Sequence, residues 1–175
     1  MNVTVIGSGG WGTALALVLE ENGHNVTLWS HRPEKAREME QTRENPMLKG
    51  VPLPEGLHLT ADLAAAGESE VVVMVTPSYA VRETAAKLRS VVKPGTIFVS
   101  ASKGIEKESS LRLSQVLEGE LGRDCPVVVL SGPSHAEEVG RHIPTGVVAA
   151  ADRPEHAGLV QDLFMNPRFR VDTSN

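Results

Sequence analysis

Met1-Asn-Val-Thr-Val-Ile-Gly-Ser-Gly-Gly-Trp-Gly12 is the stretch whose reading decides the architecture of this chain. Val3, Val5 and Ile6 predict a short buried strand, and Thr13-Ala-Leu-Ala-Leu-Val-Leu-Glu20 predicts a helix directly after it. Between them stands Gly7-x-Gly9-x-x-Gly12, with a further glycine at Gly10. Strand, glycine turn and helix in that order are what a dinucleotide pyrophosphate needs. Gly7 permits the tight turn, Gly9 lets backbone N–H groups approach the phosphates, and Gly12 lets the helix pack close on the strand. The helix N-terminus adds unpaired N–H groups and a partial positive charge. GxGxxG alone is a weak signal, because glycines are common in turns. Its weight comes from sitting between a strand and a helix.

Working outward, strand and helix patterns alternate along the rest of the chain. Val26–Trp29 predicts a second strand, and Pro33 opens a polar helix from Glu34 to about Glu44. Asn45 to Pro54 holds three prolines and Gly50, so it predicts a loop. Leu57–Thr60 predicts a short strand and Ala61–Ala66 a helical turn. Val71–Val75, Thr96–Ser100 and Val127–Leu130 are apolar without alternation, as parallel strands buried on both faces are. Helices are predicted from Thr76-Pro77-Ser78 to about Arg89, from Ser110 to Leu121 and from Pro154 to Phe164. Gly146–Ala150 and Phe169–Val171 predict the last strands. The predicted fold is α/β: a Rossmann-type doubly wound, mostly parallel sheet with helices on both faces. Residues 1–175 are read as one dinucleotide-binding domain with no second domain.

Bulk composition narrows the partners. The chain has 175 residues, 41% apolar content and a formal net charge of −5. That is ordinary globular composition, and with no basic run it argues against a nucleic-acid binder. No apolar run reaches the ~20 residues that span a bilayer, and the N-terminus has no basic leader region. The single cysteine, Cys125, excludes an intrachain disulfide framework and fits a reducing compartment, so a cytoplasmic location is expected. Cys125 precedes an apolar strand and is read as structural. The six histidines show no metal-ligand spacing, so no metal site is expected.

Cofactor choice is read after the second strand. A carboxylate about 20 residues past the glycine loop would bond the ribose 2′-hydroxyl of NAD and repel a 2′-phosphate. Here Trp29 is followed by Ser30-His31-Arg32, with no carboxylate until Glu34. Ser30 could donate to a phosphate oxygen and Arg32 could pair with it, which favours NADP and leaves NAD use open. Trp11 either packs over the cofactor or fills the seam between loop and sheet. In an open sheet, ligands gather beyond the carboxyl ends of the strands. Three loops qualify: Thr76-Pro77-Ser78, Ser102-Lys103-Gly104 and Ser131-Gly132-Pro133-Ser134. Lys103 offers a mobile cation for an anionic substrate, or is simply solvated. Ser134 and the amides near Gly132 could donate to a hydroxyl or phosphate. Glu137 and Glu138 read as surface carboxylates.

Four pieces together make a specific resemblance. Gly7-Ser-Gly-Gly-Trp-Gly-Thr-Ala-Leu-Ala16, Trp29-Ser-His-Arg32, Lys103-Gly-Ile-Glu106 and Leu130-Ser-Gly-Pro-Ser134-x-Ala136-Glu-Glu138 resemble NAD(P)-dependent glycerol-3-phosphate dehydrogenases, in order along essentially the whole chain. The resemblance implies reversible hydride transfer between sn-glycerol 3-phosphate and dihydroxyacetone phosphate, which supplies a precursor of phospholipid synthesis. It also implies cofactor contacts at Gly10, Trp11, His31, Arg32 and Ala136. Lys103 would touch both cofactor and substrate, and Gly132 and Ser134 the substrate. The family's proton-accepting lysine belongs to a helical C-terminal domain, so the expectation is that this chain is the cofactor-binding part, holds no catalytic base and turns over little substrate alone. For the full-length enzyme a homodimer is admitted. This chain departs from the pattern at His135 and Asp172, where aromatics are usual, and in Asn45–Gly50, which lacks one. Two alternatives stay open: another two-domain NADP-dependent hydroxyacid dehydrogenase or ketoacid reductase, and a non-catalytic nucleotide-sensing module.

Overall fold

The computed structural model describes residues 1–175. Its centre is an eight-stranded sheet in the order β3-β2-β1-β4-β5-β6-β7-β8. The strands are β1 (Asn2–Ile6), β2 (Asn25–Trp29), β3 (His58–Thr60), β4 (Val71–Met74), β5 (Ile97–Ser100), β6 (Val127–Ser131), β7 (Thr145–Ala150) and β8 (Phe169–Ser174). Neighbours pair in parallel except β6 and β7, which run antiparallel. The chain builds outward from β1 through β2 to β3, then crosses back to lay β4 on the other side of β1. The topological switch point therefore falls between β1 and β4, at the mouth of the glycine loop.

The apolar runs form strands because both faces are covered. Along β4, Val71 and Val73 enter the larger core with α1 (Gly10–Glu21) and α6 (Pro154–Phe164). Val72 and Met74 point the other way, against α3 (Val81–Arg89) and α4 (Leu113–Leu121). Alternate residues feed opposite layers, which is why the run shows no polar alternation. The remaining helices are α2 (Pro33–Thr42), after β2, and α5 (Ala136–Gly140), between β6 and β7. No helix is long and apolar enough to cross a membrane.

Several boundaries differ from the expectations, each for a local reason. Helix α1 begins at Gly10, three residues before the predicted Thr13, so Trp11 and Gly12 belong to its first turn. Helix α4 begins at Leu113 instead of Ser110, because Ser110 takes a left-handed φ of 60° and Ile105 bridges Arg112. Helix α2 stops at Thr42, where Arg43 turns left-handed and closes it. Within the Asn45–Pro54 loop, Pro46–Leu48 winds into a single 3-10 turn capped by Asn45. Strand β8 runs on to Ser174, in register with the whole of β7.

Candidate functional site

The glycine loop is built by close contact on three sides. Gly7 has a φ of +128°, and a Cβ there would stand 2.6 Å from the Val75 carbonyl oxygen after β4. A Cβ on Gly12 would run into the carbonyl of Gly7, so this glycine closes the loop on itself as well as seating the helix. A Cβ on Gly10 would lie 2.9 Å from the Met47 carbonyl and 3.4 Å from the Ala136 side chain. Only Gly9 faces open space, with no heavy atom within 4 Å of a Cβ position. The Gly9 N–H donates to no protein acceptor, while its carbonyl receives the Thr13 N–H at 3.0 Å. The loop thus presents backbone donors outward at a helix N-terminus, a donor set that fits a pyrophosphate.

At the end of β2, His31 and Arg32 are exposed. Ser30 is not: it is fully buried, and its hydroxyl accepts the Arg32 N–H at 3.4 Å. This corrects the expectation that Ser30 reaches a phosphate. Lys35, one turn along from Arg32, donates its ammonium to the Ser8 carbonyl at 2.9 Å. Burial, and then the neighbouring Arg32, lowers the Lys35 pKa. His31, Arg32 and Lys35 follow β2 together, with Lys35 close enough to Arg32 for the two charges to interact.

On the other side of the loop, a cleft of about 410 Å³ opens beyond the ends of β5 and β6. Trp11, Lys103, Arg112, Gly132 and Ser134 line it. Lys103 stands with its ammonium 5.4 Å from the centre of the Trp11 ring, a cation–π placement. Trp11 also packs on the larger core, so it fills the seam and floors the cleft together. Gly132 is required by close packing, since a Cβ would be 2.9 Å from the Gly146 carbonyl. Ser134 is buried, and its hydroxyl donates to the Gly132 carbonyl at 3.4 Å. Ala136 opens α5 beside Gly10, which joins the cleft to the glycine loop.

The Lys103 loop is held from outside the cleft. Arg82 on α3 donates through Nε and Nη2 to both carboxylate oxygens of Glu106, at 2.9 and 2.8 Å. Its Nη1 reaches Glu120 on α4 at 2.8 Å, and the Ser109 hydroxyl donates to Glu106 at 2.5 Å. The Arg82 guanidinium, then the Ser109 hydroxyl, holds the Glu106 carboxyl below the usual carboxylate range. Cys125 is buried away from the cleft, and burial, then Asp124, pushes its thiol pKa up. No sequence motif marks Lys35, Arg82 or Arg112. Lys35 carried a signal, its spacing from Arg32 on one helix face. Arg82 and Arg112 carried none, because their roles depend on which helices become neighbours.

A doubly wound sheet with a glycine loop at its switch point, outward backbone donors and a basic group after β2 defines a dinucleotide-binding domain. Residues 2–157 match the family model described as NAD-dependent glycerol-3-phosphate dehydrogenase N-terminus, and the chain belongs to that family. It is 51% identical over 175 residues to a glycerol-3-phosphate dehydrogenase, NAD(P)+, of Moorella thermoacetica, covering 99% of this chain and 52% of that protein. It is 49% identical over 173 residues to its namesake in Desulfitobacterium hafniense, covering 98% of this chain and 49% of that protein. The crystal structure of glycerol-3-phosphate dehydrogenase from Coxiella burnetii superposes with a TM-score of 0.93 at 34% identity, over 99% of this chain and 54% of that one. The chain spans about half the length of the curated relatives it matches. Family membership sets aside the hydroxyacid dehydrogenase or ketoacid reductase reading.

Proposed function

We propose that residues 1–175 form one unit that binds NADP(H) in preference to NAD(H) and carries part of the substrate site of a cytoplasmic glycerol-3-phosphate dehydrogenase. The observation that carries this reading is the meeting of Lys103, Trp11, Gly132 and Ser134 in one cleft beside the glycine loop. When bound, the nicotinamide dinucleotide supplies the hydride chemistry. This chain's residues bind and orient. The amides around Gly9 and Gly10 take the pyrophosphate, Gly7 and Gly12 keep the loop tight enough to do so, and Ala136 packs beside them against the dinucleotide. His31 and Arg32 take the adenosine 2′-phosphate, with Lys35 beside them. No carboxylate stands between Trp29 and Glu34, where one would repel that phosphate.

The substrate reading follows from the charge of the cleft. Lys103 and Arg112 are its two cationic side chains, which suits a phosphorylated triose or glycerol better than a neutral alcohol. Lys103 lies over Trp11 and so reaches cofactor and substrate together. The Ser134 hydroxyl makes only a long bond to Gly132, and a substrate oxygen offers it a shorter one. The test is a titration of the chain with NADPH and NADH, followed by energy transfer from tryptophan, for wild type and Arg32→Asp. The expected result is a loss of about tenfold or more for NADPH, as for a lost charge-assisted hydrogen bond, with NADH changed by about twofold or less. Equal losses for both cofactors would remove Arg32 from the 2′-phosphate. Failure of wild type to bind either one would overturn the cofactor reading itself.

A further inference from the structure

The segment that follows α2 doubles back under the glycine loop. Its 3-10 turn puts the Met47 carbonyl against Gly10, and Leu48 anchors it in the core. At its head is Asn45, 1% exposed, with every polar side-chain atom bonded. The Asn45 Oδ1 accepts the Met47 N–H at 3.0 Å. The Nδ2 donates to the Ser8 carbonyl at 2.9 Å and to the Thr13 hydroxyl at 2.7 Å. Lys35 donates to the same Ser8 carbonyl at 2.9 Å, and the Thr13 hydroxyl faces it at 3.5 Å.

This convergence on one carbonyl has a consequence fixed by peptide geometry. The Ser8–Gly9 peptide is trans, and in a planar trans peptide the C=O and N–H point in opposite directions. With the Ser8 oxygen bound inward by two N–H donors, the Gly9 N–H faces outward, into the open space beside Gly9. Glycine imposes little preference of its own between this peptide and its flipped form. The flipped form would aim a carbonyl at an incoming pyrophosphate, and would take from the buried Asn45 amide one of its two acceptors, leaving only the Thr13 hydroxyl.

We infer that Asn45, assisted by Lys35, is a positioning residue that sets the Ser8–Gly9 peptide with its N–H outward, so that the glycine loop is ready for a pyrophosphate before one arrives. This rests on the cofactor reading above and gives it a residue outside the glycine motif. Preorganised donors of this kind cost no reorganisation when the anion binds.

Two nucleotides separate the idea from a general weakening. ADP carries a pyrophosphate, whereas adenosine 2′-monophosphate carries a phosphate only where Arg32 stands. Binding of each is measured for wild type, Asn45→Asp and Asn45→Leu, with thermal melting as the check on folding. Asn45→Asp keeps the acceptor for the Met47 amide and replaces the donor to Ser8 by a second acceptor. Asn45→Leu removes the donor without adding charge. Both variants are expected to bind ADP about tenfold more weakly, the scale of one charge-assisted hydrogen bond, and 2′-monophosphate within about twofold of wild type. In the wild type, the Gly9 amide resonance shifts on ADP addition, and in Asn45→Asp that shift shrinks. Unchanged ADP affinity in a folded variant, parallel weakening of both nucleotides, or no Gly9 shift in wild type that binds ADP would each overturn the inference alone. Wild type that binds neither nucleotide would overturn the cofactor reading as well.

Discussion

The loop after β1 and the loop after β5 sit on opposite sides of one site and are held by different physics. Gly7, Gly10 and Gly12 are locked by backbone atoms within van der Waals distance, and the Ser8 carbonyl is bound by buried or half-buried donors. The Lys103 loop instead hangs on Arg82, whose side chain is 43% exposed, through its ion pairs to Glu106 and Glu120. Close packing is insensitive to salt and pH, and it fails abruptly when a methyl group is added. Ion pairs at a half-exposed position contribute little and respond to both conditions. A pyrophosphate site needs fixed amides, while a substrate site needs a cation that can adjust. On the function proposed above, the two loops divide these tasks.

Breaking the first loop has the largest expected effect. Gly12→Ala drives a methyl group into the Gly7 carbonyl, so it is expected to cost about 1–3 kcal/mol of stability as an overpacked core site does. Dinucleotide affinity is expected to fall by about a hundredfold, seen in the same fluorescence titration. A variant with wild-type affinity would show that the loop is looser than its contacts imply.

Lys103→Met comes next and separates the two loops. Dinucleotide binding is expected to weaken only about threefold, the scale of an exposed cation–π contact over Trp11. Binding of glycerol 3-phosphate to the NADPH-bound chain, followed by calorimetry, is expected to weaken by about 10- to 100-fold, as for a lost charge-assisted hydrogen bond. Unchanged glycerol 3-phosphate binding would mean that Lys103 serves the cofactor alone.

Arg82→Gln tests the weaker restraint. Glycerol 3-phosphate affinity is expected to fall by about threefold or less, with dinucleotide binding unchanged. Acid acts on the same contact. The Glu106 carboxyl has a lowered pKa when folded, so its ion pair contributes fully above the usual carboxylate range and is lost as pH falls through the lowered value. Hydrogen exchange of residues 101–112 is expected to speed up as pH drops through that range, after correction for the intrinsic rate, while the amides of the first loop stay protected. Uniform loosening of both loops would erase the distinction between them.

The same contrast explains what could be read in advance. The strands, their near-parallel sheet and the glycine loop were legible because each depends on residues close together in sequence. The start of α1 was misplaced by three residues because glycines 10 and 12 discourage a helix, and tertiary contacts from Met47 and Val75 override that. Ser30 looked like a phosphate ligand by type, yet burial turned it inward. Arg82 carries no mark beyond being an arginine on a polar helix.

By itself the sequence determined the local chemistry: alternating strands and helices, a glycine turn, a second strand followed by basic residues, and a lysine after a buried strand. Those follow from short-range sterics and hydrophobic patterning. Only the tertiary structure decided which way the loop's peptides face and what steadies Lys103. Asn45 meets Ser8 across 37 positions and Arg82 meets Glu106 across 24, and such encounters arise only when the sheet order brings distant segments together. A hydrogen bond of that range depends on where both ends are carried by the packing of everything between them, and no local pattern encodes it.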